Sequence, residues 1–206
     1  SKVCAEMGYQ IFGKREFYSN IKGEHSYFTV RISDENIHSN VNAVNLMVSF
    51  DAETIFRHYD EISSDGAIIY DSELENITTD RVNTLDSPFK DRLHKFLESE
   101  NKPFTIAGVL EVAKENGVKL YPVSFKSLLT QLSEELDNPR MRGLVRMYNV
   151  LGVSLSLGLI KMPSTSLVDS IDGIFSKKPK IAEMNKKTAI FSYNYASNNF
   201  ENFNHA

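Results

Sequence analysis

Apolar residues fall into two kinds of run along this chain. Short β-branched or alternating runs stand at residues 8–12, 28–32, 44–50, 67–70 and 118–122. Longer stretches, with apolar residues three and four apart, lie between and after them. The first pattern predicts strands and the second helices. Gly8 reads as the C-terminal cap of an opening helix, and Gly13 as a turn after the first strand. In the second run Tyr27, Thr29 and Arg31 point to one side and Phe28, Val30 and Ile32 to the other, which predicts one buried face. Residues 44–50 are almost wholly apolar, as a strand buried on both faces would be. Asp51 then stands where it can cap a helix over 52–59. A paired-carboxylate acid/base site of Asp51 with Glu53 is the alternative. Gly66 opens the next strand, so strand, helix and strand repeat with short connections, the signature of a parallel sheet.

Residues 72–87 lack a period and read as a surface loop or irregular excursion. A helix over 88–98 shows Phe89, Leu93, Phe96 and Leu97 on one face. Thr105 caps a helix over 106–116 that Gly117 stops, and Ser124 starts a helix over 125–136. The last third is helical. A stretch over 141–160 contains Gly143, Gly152 and Gly158, small enough to admit a neighbouring helix closely. Pro163 ends that stretch, and Ser166 with Asp169 resembles a capping box for a helix over 167–175. Pro179 opens a final helix over 180–195. The Asn-rich tail, residues 197–206, is expected to be a linker toward a further domain.

The 206 residues suffice for one sizeable core, with residues 1–196 expected as a single domain. Net charge is −4, so no basic excess points to nucleic acid. No apolar run reaches the roughly 18 residues a membrane span needs. One cysteine, Cys4, excludes an internal disulfide and fits a cytoplasmic location. Cys4 itself reads as a buried or accidental thiol. The five histidines show no metal-ligand spacing. His58 and His94 are expected on helix surfaces, and only His25 sits within a ligand-like cluster.

That cluster is residues 15–33, R-E-F-Y-S-N-I-K-G-E-H-S-Y-F-T-V-R-I-S. It gathers the cations Arg15, Lys22 and Arg31, the imidazole of His25, the hydroxyls of Tyr18, Ser19 and Ser26, and the amide of Asn20. Polar loops at strand ends are where α/β folds place recognition chemistry. A solvated connection is the plainer reading. The stretch resembles the gamma domain of 2-oxoacid:ferredoxin oxidoreductases, closest to the form with gamma and alpha domains fused in one chain. There a Y-S-N-I-x-G-x-H-S-Y loop leads into V-R-I-S, as Tyr18 to Tyr27 and Val30 to Ser33 do here. Val48 to Thr54 resembles that family's strand-end D-A-E turn. Asn149 to Gly152 resembles its N-x-x-x-G helix, and Ile181 to Asn185 its A-E-M-N helix start. The family's first strand and glycine-rich turn have no counterpart here, so the domain is expected to be N-terminally incomplete. Pattern and resemblance together predict an α/β fold: a three-layer Rossmann-like domain with a mostly parallel sheet and a helical C-terminal third.

The resemblance also implies a chemistry. Such enzymes, those acting on pyruvate among them, oxidatively decarboxylate a 2-oxoacid with coenzyme A to an acyl-CoA. Thiamine diphosphate with magnesium forms the carbanion, and iron–sulfur clusters pass electrons to ferredoxin. The thiamine site would belong to the alpha and beta parts, the partners of this domain. The gamma domain would hold no cofactor, supply no catalytic residue and line the coenzyme A approach. Lys22, His25, Arg31 and Lys102 are the expected contacts to coenzyme A phosphates or to an alpha-domain carboxylate. Surface ion pairs are the plainer reading of each. A stand-alone α/β module for a phosphorylated ligand and a purely docking domain are the alternatives.

Overall fold

A computed structural model describes residues 2–17, 25–39, 41–136 and 147–203. Helix α1 (Lys2–Glu6) leads into a hairpin of β1 (Gln10–Phe17) and β2 (Ser26–Ser33). Then follow β3 (Val44–Ser49), α2 (Ala52–His58), β4 (Ile62–Asp71), α3 (Ser87–Ser99), α4 (Ile106–Glu115), β5 (Lys119–Val123) and α5 (Phe125–Glu135). Helices α6 (Tyr148–Leu159), α7 (Ser164–Ile174) and α8 (Pro179–Asn199) complete the described chain.

Strands β3, β4 and β5 form a parallel sheet in that order, with β4 at its centre. The alternation along β4 builds the three layers. Ile68 and Tyr70 face α2, α3 and α4, meeting Ile55, Phe56, Leu97, Ile106 and Val109. Ala67 and Ile69 face α5, α6 and α8, meeting Phe125, Leu128, Leu151, Leu155 and Ala196. Ile68 and Ile69 are fully buried, each contributing about 1.5–3 kcal/mol from transfer alone. The fold is thus the expected α/β sandwich with a helical C-terminal part.

The expected caps form. Asp51 accepts from the Thr54 N–H at 2.7 Å, Thr105 from Gly108 at 3.2 Å and Ser124 from Ser127 at 3.3 Å. Gly8 and Gly117 take φ of +89° and +96° at the helix ends, where a Cβ would be strained. Cys4 is buried, its Sγ 3.8 Å from Met162 Sδ, and burial pushes its thiol pKa up, as an inert thiol requires. Its neighbour Val3 belongs to a third cluster, which joins α1 to Leu167 and Ile171 of α7.

Several expectations are corrected. Gly13 does not turn the chain: it lies inside β1 opposite Val30, with the Phe28 ring occupying the space a side chain would take. Strand β4 begins at Ile62, before Gly66, because a register shift accommodates the extra residues opposite β3. Helix α7 begins at Ser164 behind Pro163, so Ser166 lies within its first turn and caps nothing. Proline at this boundary starts the new helix, its φ of −56° already suitable. Residues 72–87 are irregular as expected, yet Leu85 is buried in the core. Helix α8 runs to Asn199, and Phe203 beyond it is buried, its N–H donating to the Leu159 carbonyl at 3.0 Å. The tail through Phe203 therefore packs on the domain.

Gly152 and Gly158 do serve close approach. A Cβ on Gly152 would strike the Phe50 ring, and one on Gly158 the Tyr193 carbonyl of α8. Gly158→Ala is predicted to destabilise the protein by about 1–3 kcal/mol, because backbone must move to admit the methyl. Urea unfolding measures this; a loss below about 0.5 kcal/mol would show that α6 and α8 are not held this tightly.

Candidate functional site

The site is built where the hairpin meets the sheet domain. Strands β1 and β2 pair antiparallel from Gln10↔Ser33 to Phe17↔Ser26, so Lys14, Glu16, Tyr27, Thr29 and Arg31 share one face. Tyr27 donates its hydroxyl to Glu16 at 2.6 Å, and Lys14 pairs with the same carboxylate. These contacts hold Glu16 below the usual carboxylate range, the Lys14 bond chiefly and the Tyr27 bond next. Tyr27 also packs edge-on against His58 of α2, ring centroids 4.4 Å apart. The polar face is thus turned to the body. Phe28 and Ile32, expected to be buried, are 57% and 40% exposed. The hairpin is a separate two-stranded sheet, and no described layer covers that side.

His25 sits just before β2 and is 7% exposed; His58, at the end of α2, is 5% exposed. Their Nε2 atoms lie 2.8 Å apart, and the rings stack with centroids at 5.0 Å. The other nitrogen of His58, Nδ1, lies 2.9 Å from Glu61 Oε1. Burial, and then the neighbouring His58, push the His25 pKa down. His58 is therefore no surface residue. The signal was in the helix period: Ile55 and His58 are three apart, and Ile55 is fully buried. His94 is half-buried, 2.5 Å from Thr79 Oγ1 and stacked on Phe104 with centroids 4.3 Å apart.

The other expected site residues are dispersed. Lys22 lies outside the described residues, as does the loop around it. Arg31, half-buried, donates from Nη1 to the Ser39 carbonyl at 3.0 Å. Lys102 is held by Glu115 at 2.5 Å and Glu111 at 3.2 Å, and the Glu115 bond chiefly raises its pKa. Its polar partners belong to α4, whereas those of His25 and His58 belong to the hairpin junction. Asp51 and Glu53 form no carboxylate pair: Asp51 caps α2, while Glu53 accepts from Arg57 at 2.8 Å and Thr84 at 2.6 Å. Burial works to raise the Glu53 pKa, but the Thr84 and Arg57 bonds outweigh it and hold it low.

A groove of about 380 Å³ runs between α2, α3 and α4, floored by Leu93 and Val112 and rimmed by Tyr59, Phe89 and Arg92. Among the described residues no three His, Cys, Asp or Glu side chains gather as metal ligands. No described helix is long and apolar enough to cross a membrane.

Residues 1–195 match the family described as pyruvate ferredoxin/flavodoxin oxidoreductase. The chain belongs to that family. It is 33% identical over 198 residues to the alpha subunit of 2-oxoacid:ferredoxin oxidoreductase 1 from Sulfurisphaera tokodaii. That match takes in 96% of this chain and 31% of the relative, so the chain spans about a third of the relative's length. Among solved structures, the fold is similar to 2-oxoglutarate:ferredoxin oxidoreductase from Magnetococcus marinus, a structure with 2-oxoglutarate, coenzyme A and succinyl-CoA bound. The TM-score is 0.64 at 16% identity, over 98% of this chain and 28% of that one. It is similar also to the keto/oxoacid ferredoxin oxidoreductase gamma subunit from Geobacter sulfurreducens, at a TM-score of 0.54 and 12% identity, over 95% and 85% of the two chains.

The histidine pair generates a prediction about pH. A buried imidazole with a lowered pKa takes up its proton less readily folded than unfolded. Its contribution to stability is intact above the unfolded value of about 6.5 and is lost as pH falls from there through the folded value. Denaturation midpoints of the parent should therefore drop as pH falls from about 7.5 to about 5. His25→Gln should flatten that slope, and an equally steep decline in the variant would remove His25 as its source.

Proposed function

We propose that this chain is the gamma-type domain of a 2-oxoacid:ferredoxin oxidoreductase, of the kind fused to an alpha domain. In this reading the hairpin and its loop line the approach of coenzyme A. The observation that carries it is the span of the match. Nearly all of this chain aligns to a third of an alpha subunit, as a domain of a larger enzyme would. The bound coenzyme A in the Magnetococcus marinus structure, which shares this fold, supports the choice of ligand. Within the loop Lys22 and Arg31 are the groups suited to phosphate oxygens, by charge and donor geometry. Lys102 contributes only if it exchanges a glutamate partner for a phosphate.

The parent enzyme's thiamine diphosphate and iron–sulfur chemistry does not fit the residues present here. One buried cysteine cannot ligate a cluster. Those groups fall to the alpha and beta parts, and ferredoxin accepts the electrons from the complex. This domain's part is binding and shape: it orders the approach and excludes water. A docking role accompanies it, favoured by one specific observation. Phe28 and Ile32 form an apolar strip on the outer face of the hairpin, of the kind a neighbouring domain covers.

In the assembled oxidoreductase, Lys22→Ala is predicted to raise the KM for coenzyme A about 10-fold, the worth of one charge-assisted hydrogen bond. The kcat and the KM for the 2-oxoacid should hold. An unchanged coenzyme A KM would leave docking as the domain's whole role. Calorimetric binding of coenzyme A by the 206-residue chain alone would instead favour a stand-alone binding module.

A further inference from the structure

We infer that the groove between α2, α3 and α4 binds a small aryl monocarboxylate, its ring over Leu93 and Val112 and its carboxylate on Arg92. The stripe that builds this groove is written into α3. Phe89, Arg92, Leu93 and Phe96 stand three and four apart and share one helix face. Leu93 is buried at the bottom, with Val112 of α4 also buried in the floor. Phe96 remains 36% exposed and packs against Tyr59, ring centroids 6.2 Å apart. The space of about 380 Å³ over an apolar floor is at the small end of the roughly 300–1,000 Å³ typical of ligand sites.

The polar groups of the rim set the ligand's charge. Arg92 lies over the Phe89 ring, its guanidinium carbon 5.8 Å from the centroid, and meets no carboxylate among the described residues. Arg57 lies over the same ring at 5.3 Å, but it donates to Glu53 and to the Thr84 carbonyl. Arg92 is therefore the cation available to a ligand, and a guanidinium takes a carboxylate through two parallel N–H donors. The Tyr59 hydroxyl hydrogen-bonds to none of the described residues. Burial, and then Asp60, push its pKa up to about 12, so it stays a donor at neutral pH. Asp60, also on the rim, repels a second negative charge.

A monoanion with an apolar ring fits this arrangement. A phosphate group, close to dianionic at neutral pH, would have one cation too few and Asp60 against it. Stacking on Phe89 and Phe96 favours an aryl body over a straight alkyl chain. The groove's lining includes none of Lys22, His25, Arg31 and Lys102, so this site stands or falls apart from the coenzyme A reading.

Titrating 3-phenylpropionate into the ¹⁵N-labelled full chain, followed by NMR, reads both the affinity and the place. The expected result is amide shifts at Leu93, Val112 and Asn116 with a Kd of about 0.1–1 mM, within reach of so few ligand atoms. Arg92→Gln should weaken binding about 10-fold and Phe96→Ala about 3–10-fold. Both side chains are exposed, so the variants should fold. The uncharged 3-phenylpropionamide should bind about 10-fold more weakly than the acid. Absent shifts up to about 10 mM acid, or shifts confined to other residues, would overturn the site. An affinity unchanged in Arg92→Gln or for the amide would overturn the carboxylate contact, and inorganic phosphate binding equally well there would overturn the monoanion assignment. Saturation-transfer NMR of the acid with the assembled oxidoreductase should show the same dependence on Arg92. Loss of binding in the assembly would mark the groove as a subunit contact and overturn its role as a ligand site.

Discussion

The fold depends on one strand having two buried faces. Strand β4 has neighbours on both edges, and its alternating side chains enter separate cores. Everything on one side, α2, α3 and α4, is anchored by Ile68 and Tyr70, and the helices opposite by Ala67 and Ile69. Because period 2 is rigid, a slip of one residue would exchange the two sets and put small Ala67 where the larger core expects bulk. Register in this sheet is therefore tightly specified. The hairpin, with no second layer among the described residues, is constrained chiefly at its junction with α2.

Helix α2 links the two parts. Ile55 and Phe56 hold it in the core, and that burial fixes where His58 emerges at its C-terminal end. The Nε2–Nε2 contact and the Tyr27 ring then seat the hairpin on it. A polar contact at this position restricts geometry more than an apolar one would, since it has one productive distance and direction. The start of β2 is consequently held at a defined point of the sheet domain.

The layers were legible in the sequence because their causes are local. The β-branched runs, Asp51, Thr105 and Ser124 each act within a few residues of themselves. The hairpin was misread because its causes are not. Gly13 looks like a turn until Phe28, fifteen positions on, is seen lying over it. His58 looks exposed until the hairpin is placed above it. Phe28 and Ile32 look like core because alternation reports amphipathicity and not which side faces in. Of the histidines, His25 alone was recognisable as part of a gathered cluster, and its partner His58 and that residue's partner Glu61 carried no motif to announce them.

Cys4 has a practical corollary. It is the only cysteine in the sequence, and it is 2% exposed, on a five-residue helix held to α7 by a few side chains and by the Glu6 to Ser170 contact. A thiol reagent can reach it only when that short segment detaches, a local event that leaves the sheet intact. The rate at which the native protein is labelled thus clocks fraying at this corner, with no probe introduced by mutation.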